Sequence, residues 1–280
     1  MRSIAAALAA TLVSACGHPL AGSGLAHPLG EASSDAAVVF VSSECTGTLI
    51  ARDAVLTAAH CVEERSPWSV WVGGRERVAV TRCAVHPLAY DRPTPCGAGP
   101  AGSGTRPAHD LAVLRLERPV TAARPLPVLL APPSLSPAWW HARTVRLVGW
   151  HRRPALVGAL ERLSGPNQIV AHEGATFVTA PASPSGPRTR IGDSGGPALL
   201  RHRGAEAVVG VLFGGLSRGS PESVYAATDA PLNASWLVRT LGGDFGRDLG
   251  FASADAPWGL PRRSRSRIGS NGVTASPRSR

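Results

Sequence analysis

The chain has 280 residues, of which 44% are hydrophobic and 17% are charged, as in a soluble globular protein with one large or two small domains. Frequent Gly (31) and Pro (25) argue against long helices and favour many short elements joined by turns. The formal charge of +10 suggests an anionic partner, but six Arg and no acidic residue lie in the last twenty positions, which leaves +4 for residues 1–260. Nucleic acid is therefore not an expected partner.

The N-terminus resembles a bacterial lipoprotein signal. A basic residue precedes the apolar run Ile4–Val13, which is too short to span a bilayer and is followed at once by Ser-Ala-Cys ending at Cys16. We expect residues 1–15 to be a signal peptide, Cys16 to carry a lipid that anchors the protein to a membrane, and residues 16–35 to form a tether. The alternative is an ordinary secretory peptide that is cleaved nearby. Both interpretations predict an exported protein, either lipid-anchored in the cell envelope or secreted.

Short β-type runs, separated by Gly, Pro and Ser, fill the chain between Ala36 and Ala230. Their number suits two small barrels or sandwiches packed together. We place the first barrel at 36–119, a Pro-rich linker at 120–137, and the second barrel with a final helix at 138–241. The candidate strands are Ala37–Val41, Thr48–Ile50, Val55–Ala58, Ser69–Val72, Val78–Val85, Leu111–Leu116, Thr144–Trp150, Ala175–Thr179, Ala198–Leu200, Ala207–Phe213 and Val224–Ala227.

The C-terminal part contains one helix signal. Asn233 is expected to cap a helix over Ala234–Leu241, which Gly242 ends. Beyond it, residues 242–280 are predicted to be a disordered, Arg-rich tail, with contact to an anionic surface as the alternative.

The five cysteines leave one unpaired in an oxidising compartment, and a lipid on Cys16 would account for it. The remaining four allow three pairings, of which we favour the nearest-neighbour bonds Cys45–Cys61 and Cys83–Cys96. A metal site is the alternative for these residues, but no C-x-x-C or H-x-x-x-H spacing supports it.

Three segments carry residues suited to nucleophilic catalysis: TAAHC with His60, HDLAVL with Asp110, and GDSGGP with Ser194. Serine is a poor nucleophile unless a base removes its proton, and histidine is the base whose ordinary pKa suits neutral pH. A buried carboxylate must in turn orient that histidine and stabilise its charged form.

These segments resemble the three signatures of the trypsin-like (chymotrypsin-fold) serine proteases, in the order His, Asp, Ser that this family uses. The resemblance covers residues 36–241 and is supported by the spacing of Cys45 and Cys61 and by the pair Gly149-Trp150. It implies an all-β fold of two packed six-stranded antiparallel barrels with a short C-terminal helix. It further implies a monomeric serine-type endopeptidase that acts on protein or peptide substrates through an acyl-enzyme, without metal or organic cofactor.

The same resemblance assigns roles to single residues. His60 would act as general base and then acid, Asp110 would orient it, and Ser194 would be the nucleophile. The backbone N–H groups of Gly192 and Ser194 would form the oxyanion hole. A rival class, the α/β-hydrolases, also uses G-x-S-x-G, but its serine is followed by a helix and then by Asp or Glu and His, a pattern that is absent after Ser194.

The sequence departs from the family at two places. Asp193 matches a carboxylate that normally pairs with a new N-terminal ammonium, but no I-V-G-G start is present and no Arg or Lys lies between Arg2 and Arg52. Asp193 should therefore find another partner, either an Arg or backbone donors. If it does not, the alternative function is a catalytically weak homologue that works as a binding module in the cell envelope.

The expected substrate pocket also differs. Arg188 and Arg190 stand where the trypsin branch has an acidic residue and a pocket cysteine, which argues against cleavage after Arg or Lys. Two hypotheses remain for Arg188: it binds an acidic side chain of the substrate, or it is a solvated loop residue beside a small apolar pocket. The complete set of expected pocket residues is Arg188, Thr189, Phe213, Gly214 and Gly215.

Overall fold

The computed structural model describes residues 34–63, 67–90, 93–98, 107–130, 140–152, 160–202, 205–217, 219–244 and 251–252. The signal peptide, the lipidation site Cys16, nearly all of the tether and most of the tail lie outside these ranges. Within them, no helix is long and apolar enough to cross a membrane.

The described residues are mostly in strands. The strands are β1 Val38–Val41, β2 Cys45–Ala51, β3 Ala54–Thr57, β4 Ser69–Val72, β5 Glu76–Val85, β6 Pro93–Thr94, β7 Gly97–Ala98, β8 Ala112–Leu116, β9 Val128–Leu129, β10 Thr144–Arg152, β11 Leu160–Glu173, β12 Thr176–Ala180, β13 Pro197–His202, β14 Ala205–Gly215, β15 Ser223–Ala227 and β16 Phe251–Ala252. One α-helix, α1 Pro231–Arg239, follows β15.

The strands build the two expected six-stranded barrels. The first is closed in the order β1-β2-β3-β8-β5-β4. In the second, strands run in the order β13-β10-β11-β12-β15-β14, and pairing of β13 with β14 closes the ring. All pairs within both rings are antiparallel. The expectation of an all-β, double-barrel fold is confirmed.

Each of the eleven candidate strands is present, with ends shifted by a few residues. The twelfth barrel strand, β11, was missed because its centre is Gly165-Pro166, a dipeptide that normally marks a turn. Pairing with β10 on one side and β12 on the other overrides that local signal. Within the stretch 120–137, where no candidate strand was placed, Val128–Leu129 forms β9, which pairs in parallel with β14.

The helix prediction was wrong in its start and in its cap. The helix α1 begins at Pro231, with Ala230 before it and no side-chain cap. Proline suits this position because its fixed φ matches the helix and its missing N–H would have no helical partner. Asn233 lies inside the first turn, is fully buried, and donates from Nδ2 to the carbonyls of Ala108 and Ala227, both at 2.8 Å.

The core of the first barrel continues into the junction between the barrels. Trp150 of β10 is buried there and donates its indole N–H to the Val38 carbonyl at 2.7 Å. The second barrel has its own core, in which the rings of Phe177 and Tyr225 stack with centroids 5.0 Å apart. Burial of apolar surface of this kind is the main force that holds such domains together.

Candidate active site

His60 lies in a 3₁₀ turn, Ala59–Val62, directly after β3. The next residue, Cys61, is bonded to Cys45 at the start of β2, so the turn is fixed to the neighbouring strand. The second expected disulfide, Cys83–Cys96, is also present. The side chain of His60 keeps 27% of its surface exposed, which leaves one edge of the ring open to solvent.

Asp110 lies at the end of another 3₁₀ turn, Pro107–His109, just before β8, and it is completely buried. Its Oδ2 lies 2.6 Å from Nδ1 of His60, and its Oδ1 accepts the backbone N–H of His60 at 2.9 Å. Each of the two carboxylate oxygens therefore forms a hydrogen bond with His60. A neutral imidazole that donates from Nδ1 has its lone pair on Nε2.

The helix α1 holds the segment that carries Asp110. Because Asn233 donates from Nδ2 to two carbonyls, its Oδ1 is the acceptor for Nδ1–H of His109 at 2.8 Å. The His109 ring stacks on that of His86, with centroids 4.7 Å apart, and His86 in turn contacts Trp236 edge to face. The C-terminal helix is thus packed against the turn that positions Asp110.

His86 is uncharged in this packing. Burial, followed by the neighbouring charge of His109, lowers the pKa of His86 to about 4. Its Nδ1 accepts the N–H of Leu88 at 3.1 Å, which requires that nitrogen to be unprotonated.

The Ser194 loop of the second barrel lies against the first barrel, beside the His60 turn. The Ser194 carbonyl accepts the N–H of Thr46 at 2.7 Å and lies 3.7 Å from the sulfur of Cys61. The loop leads into the strand β13. In an α/β-hydrolase a helix would follow the serine, so this site does not have the arrangement of that class. His60 and Asp110 are therefore in direct contact, and the loop that carries Ser194 lies against the residue that follows His60.

Gly195 permits this close contact between the barrels. Its φ is +79°, and a Cβ there would stand 2.2 Å from Oγ1 of Thr57 and 2.3 Å from the carbonyl oxygen of Thr46. Both the backbone angle and the space therefore require glycine. Gly192, with φ +101°, also has a backbone conformation that other residues rarely adopt.

Asp193 accepts a hydrogen bond from one backbone donor, so the expectation of backbone donors is met for only one of its two carboxylate oxygens. Its Oδ2 accepts the N–H of Arg190 at 2.8 Å, whereas its Oδ1 is buried without a hydrogen-bond partner among the described residues. Burial raises the pKa of Asp193 to about 7, against the lowering effects of the Arg190 N–H and the Arg190 charge. Nε of Arg190 is likewise buried and unbonded in this part of the chain.

The five residues expected to line the substrate pocket differ from one another in their contacts. Oγ1 of Thr189 and Oγ of Ser223 are 2.6 Å apart, and Nη2 of Arg188 donates to the Pro184 carbonyl of its own loop at 2.9 Å. Phe213 contacts the edge of His60, with centroids 6.0 Å apart. A Cβ on Gly214 would meet nothing within 4 Å, so the space beside this strand is open, and the nearest atom to a Cβ on Gly215 would be the Ser217 carbonyl oxygen at 3.3 Å.

Sequence reasoning missed Thr46, Ser223 and the role of Asn233. Thr46 directly follows Cys45, and that position was the one signal that could have drawn attention to it. Ser223 and Asn233 act through partners distant in sequence, which no local pattern indicates.

One group of possible metal ligands occurs among the described residues: Cys45, His60 and Cys61, whose donor atoms lie within 4.8 Å of one another. The two sulfurs are bonded to each other in the disulfide and are not thiolates. The cluster therefore does not fit a metal ion.

Two six-stranded barrels with a His–Asp pair on one and a serine loop on the other define the class of double-barrel, chymotrypsin-fold proteins. The model of the trypsin family matches residues 29–237, and the chain belongs to this family of serine proteases. Among solved structures, it resembles neuropsin, a serine protease expressed in the limbic system of mouse brain. The identity is 20%, the TM-score is 0.53, and the match covers 75% of this chain and 97% of that one. No curated protein matches the chain.

Proposed function

We propose that this protein is an exported serine endopeptidase in which His60, Asp110 and Ser194 act together. The observation that carries the proposal is the contact of both Asp110 carboxylate oxygens with His60, at 2.6 and 2.9 Å, beside the Ser194 loop. A carboxylate bound in this way orients the imidazole and stabilises it when it gains a proton.

The reaction begins when Oγ of Ser194 attacks the carbonyl carbon of the scissile peptide and its proton passes to Nε2 of His60. The N–H groups of Gly192 and Ser194 stabilise the oxyanion that forms. The C–N bond then breaks, the amine leaves with the proton from His60, and an ester remains on Ser194. Water, deprotonated by His60, attacks the ester; the bond to Oγ breaks, Ser194 regains its proton, and the acid is released.

A labelling experiment tests this function. A fluorophosphonate probe forms a bond from phosphorus to Oγ of Ser194 while the P–F bond breaks, fluoride leaves and the hydroxyl proton goes to His60. We expect the protein to be labelled and Ser194→Ala to be unlabelled, with Ser183→Ala, an exposed serine earlier in the same connection between β12 and β13, labelled like wild type. Absence of labelling in the folded wild type would contradict the proposal.

One observation favours a second candidate, a catalytically weak homologue that acts as a binding module. Oδ1 of Asp193 is buried without a hydrogen-bond partner among the described residues, directly before the serine that must be held in place. A loop with an uncompensated buried carboxylate could be ordered only under some conditions. The two candidates differ in turnover, which the hydrolysis of a casein or peptide-library substrate measures.

We propose that cleavage does not follow Arg or Lys. Of the two hypotheses for Arg188, its hydrogen bond to the Pro184 carbonyl favours the loop residue beside a small apolar pocket. The hydroxyl pair of Thr189 and Ser223 offers no charge to a basic side chain. Peptides that differ only before the scissile bond decide the matter: we expect Ala or Val to be cleaved at least as well as Glu, and faster cleavage after Glu would support the acidic hypothesis.

We also propose that Cys16 is lipidated and anchors a monomeric protein to the cell envelope. The support is the sequence that leads to Cys16 and the pairing of the other four cysteines in two disulfides. Replacement of Cys16 by Ser should move the protein from the membrane fraction to the soluble fraction. Equal membrane association of the two forms would contradict the anchor.

A further inference from the structure

Thr46 connects the two barrels at the Ser194 loop. It is the second residue of β2, follows Cys45, and has no exposed surface. All its polar groups are bonded, and the partners come from three segments: the Ser194 loop, β3 and β10. Its backbone N–H donates to the Ser194 carbonyl at 2.7 Å, and its own carbonyl accepts Oγ1–H of Thr57 at 2.7 Å.

The side-chain hydroxyl makes two more bonds, both to the second barrel. Oγ1 of Thr46 donates to the Gly192 carbonyl at 2.8 Å and accepts the backbone N–H of Trp150 at 2.8 Å. A hydroxyl has one proton to donate and two lone pairs, so this arrangement satisfies its donor and uses one acceptor site. A methyl group in its place could make neither bond.

Thr46 donates hydrogen bonds to the carbonyls of Ser194 and Gly192. These are the two residues whose N–H groups would stabilise the oxyanion. Ser194 is held through the Thr46 backbone and Gly192 through the Thr46 hydroxyl. Gly192 has no side chain to restrain it, and its φ of +101° lies where glycine moves freely. The hydrogen bond from Thr46 therefore restrains a residue whose own conformational preference is weak.

We propose that Thr46 is a positioning residue of the reaction, whose buried hydroxyl anchors Gly192 on the first barrel and so fixes one donor of the oxyanion hole. This inference rests on the proposed serine protease function. The hydroxyl acts through Gly192 and does not itself touch the substrate. Oxyanion donors are effective only when they are fixed before the charge develops, so loosening Gly192 should slow the chemical step more than it weakens binding.

The test compares two substitutions at one site. Thr46→Val keeps the shape of the side chain and removes the hydroxyl, whereas Thr46→Ser keeps the hydroxyl and removes a methyl group. Thr228→Val is the matched control, because Thr228 is also fully buried and its Oγ1 donates to the Leu129 carbonyl at 2.8 Å, with no contact to the Ser194 loop. The measurement is the rate of fluorophosphonate labelling at increasing probe concentration.

We expect Thr46→Val to lower the limiting labelling rate by about 10-fold to 100-fold, with less than a threefold change in the half-saturating probe concentration. Thr46→Ser should restore the rate to within about threefold of wild type, and Thr228→Val should label like wild type while losing a similar amount of thermal stability. Equal limiting rates for Thr46→Val and Thr228→Val would overturn the inference.

A second measurement keeps the two proposals distinguishable. If the wild type is not labelled, the protease function fails, and the anchoring role is then judged by amide hydrogen exchange of residues 192–196. We expect exchange there to be about tenfold faster in Thr46→Val than in wild type or Thr228→Val, because a lost anchor makes local opening easier; unchanged exchange would overturn the role. If Thr46→Val does not fold, Thr46→Ala measured against Thr46→Ser makes the same comparison.

Discussion

The carboxylate of Asp193 lies directly over Cα of Gly149, so close that a Cβ on Gly149 would stand 1.9 Å from Oδ1. Gly149 belongs to β10 and Asp193 to the loop of the proposed nucleophile. The absence of a side chain at Gly149 is therefore what allows the buried carboxylate to occupy this position, and this contact joins the Gly149-Trp150 pair to the Ser194 loop.

Gly149→Ala should expel the Asp193 carboxylate from its site. The new methyl group cannot coexist with Oδ1, so either the loop or β10 must move, and overpacking of this kind typically costs about 1–3 kcal/mol or more. We expect a lower urea midpoint and loss of fluorophosphonate labelling. Gly242→Ala is the control, because a Cβ there meets nothing within 4 Å. Normal labelling by Gly149→Ala would mean that the position of Asp193 does not matter for reactivity.

The buried Asp193 should make stability depend on pH. Its pKa rises from 3.8 in the unfolded chain to about 7 in the fold, so the folded state favours the protonated form. This group therefore opposes folding increasingly as pH rises from about 4 to 7, by about 1.4 kcal/mol per pKa unit of difference. Asp193→Asn, which cannot ionise, should gain stability relative to wild type over this range.

The measurement is the free energy of unfolding of both proteins in urea at pH 4, 5.5, 7 and 8. Other carboxylates contribute in the opposite direction, as Glu206 does, since its hydrogen bonds and charge contacts with Arg146 lower its pKa despite burial. The informative quantity is therefore the difference between Asp193→Asn and wild type. A difference that stays constant with pH would show that Asp193 is not the group responsible.

Asp110→Asn tests the proposed catalytic pair. The amide cannot stabilise the imidazolium and favours the wrong tautomer of His60, so we expect kcat/KM for peptide hydrolysis to fall by about 10³-fold to 10⁴-fold. Asp229→Asn is the control: its Oδ1 lies 3.8 Å from Nε2 of His172, a residue of β11, in a separate His–Asp pair. Activity should survive that change, and equal losses in the two variants would argue against a specific role for Asp110.

His86 should contribute to unfolding in acid. Its pKa is 6.5 in the unfolded chain and about 4 in the fold, so the folded state favours the neutral ring. The stability that this provides is complete above about pH 6.5 and is lost as pH falls towards 4. His86→Gln should lower Tm at pH 7.5, because packing against His109 and Trp236 is lost, but its Tm should fall less steeply with acid. His141→Gln, at an exposed histidine, should follow wild type throughout.

Eleven of the twelve barrel strands were predictable because they carry local signals, and the resemblance of three motifs to the trypsin-like family then favoured barrels over sandwiches. Runs such as Val38–Val41 consist of β-branched and aromatic residues and end at polar turn residues, and this pattern has the same meaning wherever it occurs. The strand β11 gives no such signal across Gly165-Pro166, since its extended form depends on partners far along the chain. The same limit applies to α1, whose Asn233 looks like a cap locally but is used to bind the carbonyls of Ala108 and Ala227.

The amino-acid sequence is enough to identify the segments that carry the histidine, the aspartate and the serine, their order along the chain and the turns beside them. These are properties of residue type and spacing, and they are readable from the chain because the family places each motif on a local element. The tertiary structure alone decided how the Ser194 loop is held. Thr46 binds that loop through its backbone N–H and its hydroxyl, and Gly149 leaves the space that the Asp193 carboxylate occupies. Such contacts exist only after both barrels have closed and packed, because they require atoms from distant segments within about 3 Å of one another.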